Sequence, residues 1–333
     1  MSKKIEMNML RDRAVPLPEV TENKFKQCNI ENVDLITEYL QTSSNLSKQT
    51  LKQYRSGLYQ FTYYVYENLN DKPFHKITKR DFRRYMSYLT NRGLSSSALK
   101  FKKSAVSAFC KYIENVIAEE EEDYKTFRNF TTATGDIPKN QVYNKIPISK
   151  EEYDMMMDAL ESDGNLLGKA WVACMFNVGC RRSEAIQFKT EILDYSMNGK
   201  NYVISHKVRA KGRGADGKVV EYMIPEEALK HMKAWTDSRG YDHEYIFTVK
   251  YKGQIQPMSA GWTNRFCEDV LSDIIGRRVN VHLFKGSCIS YLLSQGKDMK
   301  AVSKYVAKHE DISTTQKFYD LRDDEEERDN IFN

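Results

Sequence analysis

Gly179-Cys-Arg-Arg-Ser-Glu184 decides how this chain is read, together with a second run near its end, Asp311-Ile-Ser-Thr-Thr-Gln-Lys-Phe-Tyr319. The first run follows an apolar segment, Ala170-Trp-Val-Ala-Cys-Met-Phe-Asn-Val178, that reads as a helix closed by Gly179. An arginine just after a glycine turn, with a carboxylate three residues on, is a positioned cation. Arg181 can donate two hydrogen bonds to two phosphate oxygens, and Glu184 can orient it. A purely structural Arg–Glu pair explains the same spacing equally well. The second run ends on a tyrosine in polar surroundings, off any apolar stripe. A tyrosine hydroxyl can attack phosphorus, but its ordinary pKa is about 10, so it needs a proton acceptor and a concentrated positive field.

Three more groups of this kind lie between and beside the two runs. His282 and Lys285, in His282-Leu-Phe-Lys285, stand one helical turn apart and can face one phosphate. His309 can add a further hydrogen bond. Lys211 sits in Lys207-Val-Arg-Ala-Lys-Gly-Arg-Gly214, at a hairpin turn, where a lysine can enter a groove and protonate a leaving oxygen. Each has a plainer alternative taken singly: a core histidine, an ion pair, a turn lysine in solvent.

The formal net charge is only +5, from 51 basic and 46 acidic residues, but the charges are unevenly spread. From Lys76 to Glu114, ten basic residues meet only two acidic ones, Asp81 and Glu114. Lys76, Lys79, Arg80, Arg83, Arg84, Lys100, Lys102 and Lys103 are the candidates for nucleic-acid contact. Arg80, Arg83 and Arg84 fall on one helical face, and Lys100 and Lys103 share another. The bland reading is a solvated helix face. Mean hydropathy is −0.65, and no apolar run approaches the ~18 residues of a membrane span. The N-terminus has no secretory h-region. Six scattered cysteines without a CxxC pair read as reduced thiols of a cytoplasmic protein, and neither a zinc site nor any other cofactor is expected.

A chain of 333 residues is comfortable for two domains. Residues 1–28, polar and holding Pro16 and Pro18, read as a flexible arm. Residues 29–118 read as a bundle of about four helices. Ser47 is a candidate N-cap, and Thr78-Lys-Arg-Asp81 a capping box. Residues 119–147 read as a linker, opening on an acidic run and closing on prolines. Ser149-Lys-Glu-Glu152, a second capping box, opens a domain expected over 148–322. Inside it, Tyr202–Ile204 and Val219–Ile224 alternate like two strands of a hairpin around a glycine-rich turn, and helices are expected from Glu226 onward. Residues 323–333 read as an acidic tail. The expected class is mainly α, of the α+β kind.

Taken in order, a cation after a glycine turn, a hairpin lysine, H-x-x-K, a histidine and a tyrosine form a specific set. This set resembles the tyrosine recombinase family, of the phage-integrase type. The resemblance extends to residues 33–117, which are similar to its helical core-binding domain, including Ser47-x-x-Thr50-x-x-x-Tyr54 at the entry to the second helix. A type IB topoisomerase uses similar chemistry but matches the two-domain layout less well. The resemblance implies a C-shaped clamp around duplex DNA, a 3'-phosphotyrosyl intermediate with a free 5'-hydroxyl, and no metal or nucleotide cofactor. It implies Tyr319 as nucleophile, Arg181 and Lys285 on the non-bridging oxygens, and Lys211 as general acid. His282 would assist proton transfer, His309 would bond the phosphate, and Glu184 would support the site. It also implies a homo-oligomer on DNA, a tetramer on paired sites if the protein recombines.

Three positions depart from the family pattern. Lys285 stands where an arginine is usual, Lys308 where a glycine usually precedes the histidine, and the interval from His309 to Tyr319 is one residue longer, so that the usual place falls on Phe318. A lysine keeps the charge but not the bidentate fork. Losing one good transition-state donor costs about 2.7–4 kcal/mol. Two functions therefore stand open on the sequence: a site-specific recombinase, and a recombinase-fold regulator, such as a phage repressor, that binds specific DNA without cutting it.

Overall fold

The computed structural model describes residues 15–133, 137, 146–212 and 217–318. The chain divides into two compact units, one N-terminal and one C-terminal, parting near residue 145. The architecture is mostly helical with small antiparallel sheets.

The N-terminal unit is a bundle of α1 (Glu22–Phe25), α2 (Ile30–Thr42), α3 (Lys48–Asn68), α4 (Lys79–Asn91) and α5 (Ser96–Tyr112). Local chemistry sets the helix starts. The Ser47 hydroxyl accepts the Thr50 N–H at 3.1 Å, and Thr78 and Asp81 form a reciprocal capping box. Phe61 is the hub of the core: its ring lies 5.0–6.0 Å, centroid to centroid, from those of Phe74, Phe82, Tyr85 and Phe130. Aromatic packing of this kind adds about 0.5–1.5 kcal/mol per pair beyond area burial.

The bundle claims more chain than its periodicity predicts. Residues 1–14 of the expected arm lie outside the described residues, but residues 15–28 pack onto the bundle. Phe25 is buried and stacks on Tyr59, and the Val15 N–H donates to the Arg92 carbonyl. At the other end, the expected linker sends Tyr124, Phe127 and Phe130 into the same core. Their aromatic side chains outweigh the acidic run that precedes them.

The C-terminal unit is organised around α7 (Leu166–Val178), which is buried on nearly every face and packs against α6 (Lys150–Ser162) and two later helices. Ser149 and Glu152 cap α6 reciprocally. After the single-turn α8 (Arg182–Ala185) come β1 (Tyr202–Ile204), β2 (Val208–Ala210), β3 (Lys218–Val220) and β4 (Met223–Pro225). One hairpin was expected here; two ladders form, β1 with β4 and β2 with β3, nested along the same stretch. Then follow α9 (Glu226–Ser238), β5 (Thr248–Tyr251) and β6 (Gln254–Pro257). The β5–β6 hairpin corrects the expectation of helices throughout this region. Its turn residues Lys252 and Gly253 have φ of 49° and 80°, the paired positive values that match strand twist. The unit closes with α10 (Ala260–Arg265), a wide-turned continuation into α11 (Ser272–Ile275), then α12 (Val281–Ser294), α13 (Met299–Ala301) running on to Ala307, and α14 (Ile312–Phe318). Among the described residues, no helix is long and apolar enough to cross a membrane.

Candidate active site

Gly179 ends α7 in the left-handed conformation, φ 66°, and a Cβ there would stand 2.9 Å from both Cys288 Sγ and Val306 Cγ1. Only glycine fits, and the turn delivers Arg181 to the N-cap of α8. The Arg181 backbone N–H donates to Glu184 Oε2 at 2.6 Å, and its guanidinium Nη1 donates to Oε1 at 3.1 Å. A third donor comes from the hairpin region: the Tyr222 hydroxyl reaches Glu184 Oε2 at 2.6 Å. Glu184 is fully buried and Arg181 largely so. Burial pushes the Glu184 carboxyl up, but the Tyr222 hydroxyl, the Arg181 amide and the Lys285 and Arg181 charges outweigh it, and the net shift is downward. The carboxylate is thus ionised and holds the guanidinium in one orientation.

Lys285 lies on α12, buried, its ammonium donating to the Ala307 carbonyl at 2.7 Å. Burial, then the neighbouring Arg181 charge, brings its pKa down to about 8, with Glu184 opposing. His309 follows two residues after Ala307. Its Nδ1 bonds the Thr315 hydroxyl at 2.8 Å, and that hydroxyl donates to Ser303 Oγ at 2.8 Å. Burial and the Lys285 and Arg181 cations push the imidazole down to about 4, so it is neutral at pH 7. Between them, Lys308 adopts the left-handed conformation, φ 55°, that a glycine takes freely. Its ammonium rests 5.7 Å over the Tyr222 ring.

Arg181, Glu184, Lys285 and His309, separated by more than a hundred residues, therefore form one electrostatic cluster. His282 stands exposed on the first turn of α12, and Lys211 stands exposed just after β2. Tyr319 lies outside the described residues. Sequence reasoning missed Tyr222, whose hydroxyl completes the Glu184 shell. Strand alternation in Val219–Ile224 puts Tyr222 on the same face as Val220 and Ile224, which marks it as inward-facing but not as a carboxylate's partner.

In the N-terminal unit, Lys79, Arg80, Arg83 and Arg84 line a shallow groove on α4 with Ser87, Tyr88 and Asn91. Lys76 and Lys100 are exposed and Lys103 is partly so. Lys102 differs from its neighbours. It turns inward to donate to the Gln60 side chain, and burial takes its pKa down to about 8.

Comparison with known proteins bears on both units. Residues 147–325 match the model of the phage integrase family, and residues 33–115 match that of the phage integrase N-terminal SAM-like domain. The chain is 54% identical, over the full length of both, to the SPbeta prophage-derived recombinase-like protein YomM of Bacillus subtilis. It is 26% identical to the tyrosine recombinase XerC of Staphylococcus aureus, over 84% of this chain and 88% of that one. Among solved structures, the Tn1549 transposon integrase in complex with transposon right end DNA shares the fold, with a TM-score of 0.66 at 16% identity, covering 90% of this chain and 98% of that one. The XerH recombinase bound to palindromic difH substrate does so with a TM-score of 0.65 at 14% identity, covering 98% and 93%. The family model spans more than half of the residues, the prophage relative spans all of them, and on that footing the chain belongs to the phage integrase family, the tyrosine recombinases.

Proposed function

We propose that this protein cleaves and rejoins duplex DNA through a 3'-phosphotyrosyl intermediate. The observation that carries the reading is the Arg181 guanidinium, fixed by a buried carboxylate that is itself held by the Tyr222 hydroxyl. A guanidinium held this firmly is preorganised for a phosphate, and preorganised charge is the largest single contribution to such catalysis. In the proposed reaction the Tyr319 oxygen attacks phosphorus and the bond to the 5'-oxygen breaks. Lys211 gives that oxygen its proton, and His282 assists removal of the tyrosine proton. Arg181 grips the non-bridging oxygens, and His309 bonds the phosphate through Nε2, the ring nitrogen that Thr315 does not hold. Lys285 acts through its charge, since its ammonium is buried against Ala307. No metal or nucleotide takes part in this scheme.

DNA enters the proposal on two grounds. Relatives of the same fold are described in complex with transposon DNA and with difH substrate, and one, a lambda integrase fragment, as a dimer bound to a core site. The α4 groove supplies the cations that a phosphate backbone attracts. A homo-oligomer assembled on DNA follows from the same reading.

The test is a nicked suicide substrate carrying the cognate site. A covalent protein–DNA adduct that disappears in Tyr319→Phe is the expected result. Tight, sequence-specific binding with no adduct, in the native protein and in Lys285→Arg alike, would overturn the proposal in favour of a regulator that holds DNA uncut.

A further inference from the structure

Lys218 opens β3, and its ammonium crosses to the turn that carries His309. It donates to the Lys308 carbonyl at 3.0 Å and lies 3.5 Å from Glu310 Oε1. The carbonyls here end the helix through Ala307, where partial negative charge collects and cations are favoured. The preceding carbonyl, that of Ala307, already accepts from Lys285. Two ammonium groups thus close this helix end from two sides, one from α12 and one from the β2–β3 hairpin.

The same lysine is tightly coupled to Lys211. It pairs with Ala210 across the ladder, and Lys211 is the next residue. The chain is packed backbone to backbone at this point. A Cβ on Gly217 would stand 2.4 Å from the Ala210 carbonyl oxygen, and one on Gly212 would stand 2.7 Å from the Lys218 nitrogen. With no side chain between them, residues 210–212 and 217–218 move together. Whatever fixes Lys218 also fixes the base from which Lys211 projects.

We propose that Lys218 is a positioning residue that pins the β2–β3 hairpin to the His309 turn, so that Lys211 and His309 keep a set spacing on either side of one phosphate. The bond to the Lys308 carbonyl does the holding. Glu310 is almost fully exposed, and so weak an ion pair adds little. The role given to Lys211 rests on the recombinase reading; the pin itself does not.

Two measurements on the full chain test this. The first is amide hydrogen exchange of the DNA-free protein. Lys218→Ala should speed exchange in 208–210 and 218–220 by about tenfold or more, with α7 unchanged, and Lys218→Arg, which keeps a donor, should exchange like the native protein. The second is adduct formation on the normal suicide substrate and on one whose 5'-bridging oxygen is replaced by sulfur, a leaving group that needs no proton. Lys218→Ala should be slowed about tenfold or more on the first and recover on the second, with Lys218→Arg close to native on both. Unchanged hairpin exchange in Lys218→Ala overturns the pin whatever the cleavage rates. Slow cleavage in Lys218→Arg with native exchange, restored on the sulfur substrate, overturns the positioning role and makes Lys218 the proton donor itself. If the native protein forms no adduct on either substrate, the recombinase reading fails, and the exchange measurement still decides the pin.

Discussion

The C-terminal unit and the N-terminal unit of this protein use positive charge in opposite ways. In the first, Lys285 is buried and Arg181 largely so, and each is held by a named partner, Glu184 or the Ala307 carbonyl. In the second, Arg80, Arg83 and Arg84 stand exposed along α4; Arg84 lies 3.8 Å from the buried Asp81 carboxylate, a long pairing whose cationic end is in solvent. A buried charge has a high desolvation cost and persists only where its hydrogen bonds are satisfied, so each member of the cluster matters individually. Exposed charges cost almost nothing and contribute little singly; their effect on a polyanion is collective.

The sharpest way to break this contrast is Glu184→Ala. It removes the carboxylate that holds Arg181 and accepts from the Tyr222 hydroxyl, and that offsets the Lys285 charge, and it should destabilise the C-terminal unit by about 3–5 kcal/mol, read from urea unfolding. A loss below about 0.5 kcal/mol, the range of an ordinary surface change, would mean that the cluster is no more than another solvated ion pair.

A smaller effect comes from pH. His309 titrates at about 4 when folded against 6.5 for the free side chain. Below 6.5 the unfolded chain takes up a proton that the folded one refuses, so the His309 contribution is complete above 6.5 and is lost as pH falls toward 4. Stability of the C-terminal unit should decline through that window, and His309→Gln should flatten the decline. An identical slope in the variant would place the imidazole in ordinary solvent.

The smallest effect on folding, and a large one on binding, is expected from combining Arg80→Ala, Arg83→Ala and Arg84→Ala. Each change should alter stability by no more than about 0.5 kcal/mol. The plot of log K for DNA against log[salt] should become shallower by about 0.9 for each phosphate that is no longer neutralised. A triple variant with an unchanged slope would remove α4 from the DNA-binding surface.

The same contrast explains what could be read from the sequence. Helix starts were legible at Ser47, Thr78 and Ser149, because an N-cap is a matter of three or four adjacent residues. The excess of basic residues between 76 and 114 was legible as a count, but a count cannot see that Lys102 points inward to Gln60. Arg181 and Glu184 were legible through local spacing. Tyr222 was not, since 38 residues separate it from Glu184 and only the nested β-ladders bring its hydroxyl to the carboxylate. The β5–β6 hairpin was missed because its turn, Lys252-Gly253, lacks the Asn-Gly or Asp-Gly pair that announces such turns. The packing of residues 15–28 was missed because Phe25 and Cys28 are isolated apolar positions in a polar, proline-containing stretch, and such positions show no period.

Burial at Arg181, Glu184 and Lys285 has a further consequence in terms of electroneutrality. At pH 7 the three side chains, with His309 neutral, sum to a single positive charge. A phosphodiester brings one negative charge. These inner groups alone would match that charge, and the Lys211 ammonium stands apart from them, exposed, for the departing oxygen. Replacing arginine by lysine at position 285 leaves this balance untouched, although it changes the geometry of the cation. A neutral residue there would shift the balance by a whole charge, which makes the sign at position 285 a stricter requirement than its shape.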